Sequence, residues 1–429
     1  MGTEAARLRA ALVRQLVAAG MVRTPRVEAA MRTVPRHVFL PQVPLRRAYA
    51  NDVVQTKRDA DGVPISAASQ PSIVGLMLEQ LDVTPGTRIL EIGAGTGYNA
   101  ALLAYLTGAG GQVVTVDVDS DIVAGARAAL AAANVPNVTV LRGDGALGAA
   151  EFAPFDRIIA TVGVRDLPAA WQQQLAPGGL VVAPLRLRGS VTRSIAFRRP
   201  AGSFPETPGP AAELRSTSSE MCGFMPLRAS IASDPRRTIP LTSSGDVYLE
   251  VQQEQDADPD RLTGILQTPR AMTRTGVRFP ALAPAEWLYL WLTCALPGGL
   301  YGISAQPSAA ERGVVTSVLR WGTMAAVASG SLAYLTFHPA AADDDGAGDP
   351  GPDDGPREIG VVGHGPHGRE LAEAVADQVR AWDHGYRHRT AEFTLRPGPP
   401  PGPVATRPGE FVIRTPGNLI IVSWGGRPA

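Results

Sequence analysis

The residues best suited to chemistry stand in one short run, Ile89-Leu90-Glu91-Ile92-Gly93-Ala94-Gly95-Thr96-Gly97-Tyr98. Three glycines at alternate positions follow an apolar stretch. They let the backbone take positive φ and let a ligand approach main-chain groups that a Cβ would shield. The spacing is Gly-x-Gly-x-Gly, not the Gly-x-Gly-x-x-Gly of dinucleotide sites, and nothing in it favours a pyrophosphate. Asp117, followed by Val118, stands 20 residues beyond Gly97, where a carboxylate can accept hydrogen bonds from both hydroxyls of a ribose. Asp144 and Gly145 add a carboxylate and a backbone N–H able to read an adenine edge. Either aspartate taken alone reads sooner as a helix cap or turn residue. With Glu91, Gly93, Ala94, Gly95, Thr96 and Gly97 they form a candidate cofactor site.

Apolar patterning supplies the elements that would hold these residues. Strands are expected at 88–92, 112–118, 138–142, 155–162 and 180–185, separated by helices at 98–106, 121–133 and 167–175. Such alternation predicts an α/β fold, a mainly parallel, doubly wound sheet covered on both faces. The glycine turn and both aspartates then fall at the carboxyl edge of that sheet, where open α/β folds bind ligands. Two helices, at 6–19 and after Pro25, and an irregular segment to about residue 71 precede a helix at 72–81. Beyond residue 199 short strands at 195–197, 219–224, 247–251 and 332–337 mix with helices at 285–296 and 368–383, and a strand pair at 411–424 follows. This predicts three parts: residues 1–70 carrying helices and an irregular loop, a core over 71–199, and an α+β domain over 211–429. A linker is expected at 201–210 and a mobile loop at 341–356, both rich in Pro, Gly or Asp.

Composition removes several function classes. The chain has 429 residues, 19% of them charged, with 40 acidic and 40 basic side chains, so no net charge draws it to nucleic acid. No apolar run reaches the roughly 20 residues that span a bilayer, and the first thirty residues lack a secretion signal. The chain reads as cytoplasmic, with no nucleic-acid or membrane partner. Cys222 and Cys294 are too few for a disulfide framework or a zinc site and are expected as buried thiols. His384 and His388 stand four apart without a clear third ligand, so no metal is expected.

The nucleoside motifs, in this order, resemble those of class I S-adenosylmethionine-dependent methyltransferases, which have a Rossmann-like fold. The flanks narrow the likeness. Val34-Pro35-Arg36-His37-Val38-Phe39-Leu40-Pro41, Ser69-Gln70-Pro71-Ser72, Gly143-Asp144-Gly145, Pro154-Phe155-Asp156 and Leu175-Ala176-Pro177-Gly178-Gly179 resemble the protein-L-isoaspartate O-methyltransferase family over about 8–187. The resemblance implies methyl transfer from S-adenosylmethionine, with S-adenosylhomocysteine as product, to an aspartyl or isoaspartyl carboxylate in a peptide. It places the family's active-site serine on Ser69 and an upstream acidic position on Asp52. Read without it, Ser69 is a helix N-cap and Asp52 a turn residue.

Two departures refine the expectation. In place of the Gly-His-Gly-Gln-Thr-Ile-Ser of repair enzymes, the chain carries a longer, charged loop over 54–69, and it continues more than 200 residues past the methyltransferase sheet. Asp52-Val53-Val54-Gln55-Thr56-Lys57-Arg58-Asp59 and Cys222-Gly223-Phe224-Met225-Pro226 resemble segments of relatives in ribosomal-peptide biosynthesis, in particular the group named for an FxLD precursor system. Those relatives esterify one aspartate of a precursor peptide, cyclised or linear, and the ester closes to an aspartimide that hydrolyses to isoaspartate. Val54, Lys57 and Arg58 are then the expected substrate contacts, and the C-terminal region the expected reader of the precursor. A repair enzyme with a fused module is the alternative.

Overall fold

The computed structural model describes residues 2–60, 62–202, 212–228, 237–280, 285–316, 322–339, 357–398, 404 and 406–425. The expected loop at 341–356, and the expected linker from residue 203 onward, lie outside the described residues.

The chain builds a Rossmann-like α/β sheet whose parallel strands run in the spatial order Val138–Arg142, Gln112–Asp117, Arg88–Ile92, Phe155–Ala160, Leu175–Arg188. Successive side chains alternate between faces. Leu90, Ile92, Val114, Val116 and Ile158 join one apolar cluster, while Ile89, Val113, Ile159 and Val182 join another. Both faces are therefore buried, which is why these strands read as continuous apolar runs. Helices Gly2–Ala18, Pro25–Thr33, Pro71–Leu81 and Tyr98–Thr107 contribute to the second cluster.

The sheet does not stop at residue 199. Val191–Arg198 returns antiparallel beside Leu175–Arg188. It is followed in the sheet by Leu214–Met221, Glu392–Pro397, Asn418–Ser423 and Glu410–Arg414, all antiparallel, making ten strands. A second sheet of seven antiparallel strands runs in the order Arg237–Pro240, Val247–Val251, Tyr301–Ala305, Gly322–Ala328, Ser331–Pro339, Arg357–His364, Arg270–Phe279. Helix Gly368–Gly385 buries Ala372, Val375, Ala376, Val379 and Trp382, giving this part its α+β character. Those residues, Val181 of the first sheet, Val361 of the second and Leu288 of helix Glu286–Ala295 belong to one cluster, so the two sheets share a core.

Several local expectations change. The segment expected to be irregular holds a hairpin, Val54–Arg58 with Pro64–Ala68. The strand expected at 219–224 occupies Leu214–Met221, and the one expected at 180–185 extends over Leu175–Arg188. Cys294 is buried but Cys222 is partly exposed. Among the described residues no helix is long and apolar enough to cross a membrane.

Candidate active site

The glycine turn joins strand Arg88–Ile92 to helix Tyr98–Thr107. Gly93 and Gly97 have φ of 95° and 86°, values that side chains with a Cβ rarely tolerate. A Cβ on Gly93 would sit 2.7 Å from Thr161 Oγ1. At Gly95 a Cβ would meet nothing within 4 Å, so the space beside that stretch of main chain is open. Behind the turn lies Glu91, fully buried; its carboxyl accepts hydrogen bonds from Thr115 Oγ1 at 2.5 Å and Asn99 Nδ2 at 2.8 Å. Burial pushes this carboxyl up to about 7, against the lowering effect of both donors. Glu91 thus braces the strand end from inside.

Asp117 ends the neighbouring strand. Its Oδ2 accepts the Gly95 N–H at 3.1 Å and its Oδ1 the Asp119 N–H at 3.3 Å. Those two bonds fix the carboxylate plane while leaving lone pairs for a ligand diol. Asp144 caps the short 3₁₀ turn Gly145–Leu147 by accepting the Ala146 N–H at 2.8 Å.

Ser69 follows the hairpin and precedes helix Pro71–Leu81, but it does not cap that helix. The N-cap position is Gln70, and the Ser72 N–H donates instead to Asn51 Oδ1 at 3.0 Å. Arg36, buried, donates to the Ser69 carbonyl at 2.8 Å and the Ala48 carbonyl at 3.0 Å, with its guanidinium 4.9 Å from the Tyr98 ring centroid. The Ser69 backbone is therefore pinned while its hydroxyl remains available.

These elements enclose a cavity of about 620 Å³. Ser69, Gly93, Gly95, Asp117, Val118 and Gly145 line it, and a smaller recess beside it adds Ala94 and Thr96. Glu91, Gly97 and Asp144 stand behind this wall. Val53, not Val54, reaches the cavity, and Val54 is buried with Leu40, Ala48 and Ala68. Asp52 lies outside, paired with Arg47 at 2.7 Å. Arg58 donates within its own hairpin to the Gly62 carbonyl and to Gln55. Lys57 is held by Asp119 and Asp121.

The opposite wall comes from residues 223–228. Met225 and Leu227 bond to Gly163 through both main-chain groups at 2.7 Å, and Arg228 pairs with Asp119 at 2.7 Å. Arg36, Thr161 and this strap were not among the expected site residues. The Cys-Gly-Phe-x-Pro likeness was the available signal for the strap, and the Val-Pro-Arg-His motif flagged Arg36 without its role; Thr161 had no signal, because its hydroxyl bonds the distant Ile92 and Gly93 carbonyls.

A family model described as protein-L-isoaspartate(D-aspartate) O-methyltransferase matches residues 7–203. A protein-L-isoaspartate O-methyltransferase of Rhodopseudomonas palustris (strain HaA2) is 37% identical over 248 residues, 56% of this chain and 93% of that protein. The chain belongs to the protein-L-isoaspartate O-methyltransferase family. Another such enzyme, from Methanopyrus kandleri, is 41% identical over 180 residues, 42% of this chain and 77% of its own. A Plasmodium falciparum structure of the same designation, in complex with S-adenosyl-L-homocysteine, aligns over 51% of this chain and 98% of its own, at 16% identity and a TM-score of 0.42. As a member of the protein-L-isoaspartate O-methyltransferase family, the chain is a carboxyl O-methyltransferase that uses S-adenosylmethionine.

Proposed function

We propose that this methyltransferase esterifies the side-chain carboxylate of one aspartate in a dedicated ribosomal precursor peptide. The observation that supports the reading is the pair of walls flanking the cleft. Residues 65–67 of the hairpin and the strap over 223–228 line the cleft beside Ser69, so both segments are in reach of a peptide whose carboxylate enters there.

Gly93, Gly95, Asp117, Val118 and Gly145 are the residues that would hold S-adenosylmethionine, Asp117 by accepting from the ribose hydroxyls. The open space beside Gly95 and the doubly anchored Asp117 carboxylate suit such a ligand. When bound, the cofactor supplies an electrophilic methyl group on a sulfonium. The substrate carboxylate, with an ordinary pKa near 3.9, is ionised at neutral pH and needs no general base. The chain's task is to orient that carboxylate and exclude water. Ser69 does the first by donating its hydroxyl to one carboxylate oxygen, a neutral donor that orients without quenching the charge. Apolar side chains of Ile65, Ile73, Val162 and Phe224 around the cavity do the second. In the ester, the next backbone amide nitrogen attacks the side-chain carbonyl. A C–N bond forms, the C–O bond to methoxide breaks, the amide proton leaves with methanol, and an aspartimide remains that water opens to isoaspartate or aspartate.

A second reading, repair of isoaspartyl residues in proteins, is favoured by the near full-length match to the Rhodopseudomonas palustris relative. Mass spectrometry of candidate precursors, linear and cyclised, after incubation with enzyme and S-adenosylmethionine separates the two. Gain of one methyl followed by net loss of one water supports the dedicated role. Methylation of generic isoaspartyl peptides, with precursors untouched, supports repair.

A further inference from the structure

The hairpin and the strap, the two segments that wall the cleft, meet on one carboxylate. Asp119 Oδ2 accepts from Lys57 Nζ of the hairpin at 3.2 Å and from Arg228 Nη2 of the strap at 2.7 Å. Lys57, the chain's only lysine, also donates to Asp121 Oδ1 at 2.7 Å. A register shift between Gln55 and Lys57 breaks the hairpin ladder there; such bulges re-aim a side chain. Asp119 in turn touches the cavity wall, because its N–H donates to the Asp117 carboxylate. The hairpin therefore spans the cleft, from Ser69 at its base to a fastening two residues beyond Asp117. The strap crosses from the other side, where Leu227 packs close to Gly145.

We propose that Lys57 and Arg228 are positioning residues that clasp hairpin and strap onto Asp119, and that opening of this clasp sets the rate at which the nucleoside cofactor enters and leaves. The inference rests on the cleft being the cofactor site, not on the identity of the peptide. The clasp is made of partly exposed side chains, so its pairs are modest and weakened by salt. That suits a closure that must reopen at every turnover, since S-adenosylhomocysteine has to be exchanged for S-adenosylmethionine.

The test uses the full-length protein and S-adenosylhomocysteine alone, with association followed by rapid mixing and dissociation by chase with unlabelled ligand. In Lys57→Met both rate constants rise roughly fivefold while Kd stays within about twofold, because a gate acts on entry and exit together. Arg228→Met does the same. Salt near 0.5 M accelerates exchange in the unmodified enzyme, less in either single variant, and not at all in Lys57→Met/Arg228→Met. Unchanged rates in both variants overturn the clasp. So does a rise in dissociation alone with an equal rise in Kd, which would make Lys57 a direct ligand. Absence of S-adenosylhomocysteine binding by the unmodified protein would overturn the clasp and the cofactor reading together. Failure to methylate any peptide, with exchange behaving as stated, would remove only the substrate proposal.

Discussion

Glu91 touches no part of the cavity, yet its charge state bears on the strand end that carries Gly93. Its carboxyl is pushed up to about 7 from an ordinary 4.5, so the folded protein holds a proton that the unfolded chain has released. Stability from this group is full below about pH 4.5 and is lost as pH rises through 7. Between pH 5 and 8 the unmodified protein should lose roughly 2–3 kcal/mol relative to Glu91→Gln; urea unfolding of both at the two pH values measures it. At Ser69 the expected change is kinetic. Ser69→Ala removes one oriented hydrogen bond, so kcat should fall roughly tenfold, with S-adenosylhomocysteine affinity by calorimetry within about twofold. At Gly93 a methyl group meets both an unfavourable φ and the Thr161 hydroxyl. Gly93→Ala should cost on the order of 1–3 kcal/mol, visible as a lower melting temperature and at least tenfold weaker cofactor binding.

Among the elements, Arg193 on strand Val191–Arg198 ties the sheet to the C-terminal region. Fully buried, it donates to Ser219 Oγ at 2.6 Å, to the Ser219 carbonyl at 3.0 Å and to Glu286 at 3.2 Å, with its guanidinium 4.1 Å from the Trp287 ring centroid. Arg193→Met should destabilise the protein by about 3 kcal/mol by leaving Glu286 without its partner. Adding Glu286→Gln should restore part of that loss, which chemical denaturation of the single and double variants will show. The parallel strands were legible in the sequence because burial on both faces writes them as apolar runs. Strand Arg88–Ile92 begins and ends where the patterning places it. Strand Arg270–Phe279 was missed although it alternates, with Thr273, Thr275, Val277 and Phe279 buried between exposed Arg274, Gly276 and Arg278; threonines at two inward positions and a glycine between them hid a period of two. The hairpin was missed because its polar strands bury little. Asp117 and Gly145 could be placed because their positions follow from chain distance to a strand end. Arg36 and the partners of Lys57 could not, since they depend on side chains reaching across tens of residues.

For the molecule as a whole, the methyltransferase sheet and the C-terminal region share strands, a core and a cavity wall. A chain stopped at residue 203 would lose Leu214–Met221, uncover the edge beside Ile195 and Phe197, and lack the 223–228 wall. Such a truncation should aggregate and bind no S-adenosylhomocysteine, which sedimentation and calorimetry will reveal; a soluble, cofactor-binding fragment would show that the core stands alone. The ten-stranded sheet also imposes a waiting time during synthesis. Strand Leu214–Met221 is completed early, but its partner, Glu392–Pro397, comes roughly 170 residues later. At about 5–20 residues per second this is an interval of about 10–30 s. An apolar edge left open so long would recruit neighbouring chains on the same polysome. The late strand pairs only Leu214 and Arg215, and the rest of the edge reads Ser216-Thr217-Ser218-Ser219-Glu220, a sequence that water can solvate before and after the last strands emerge.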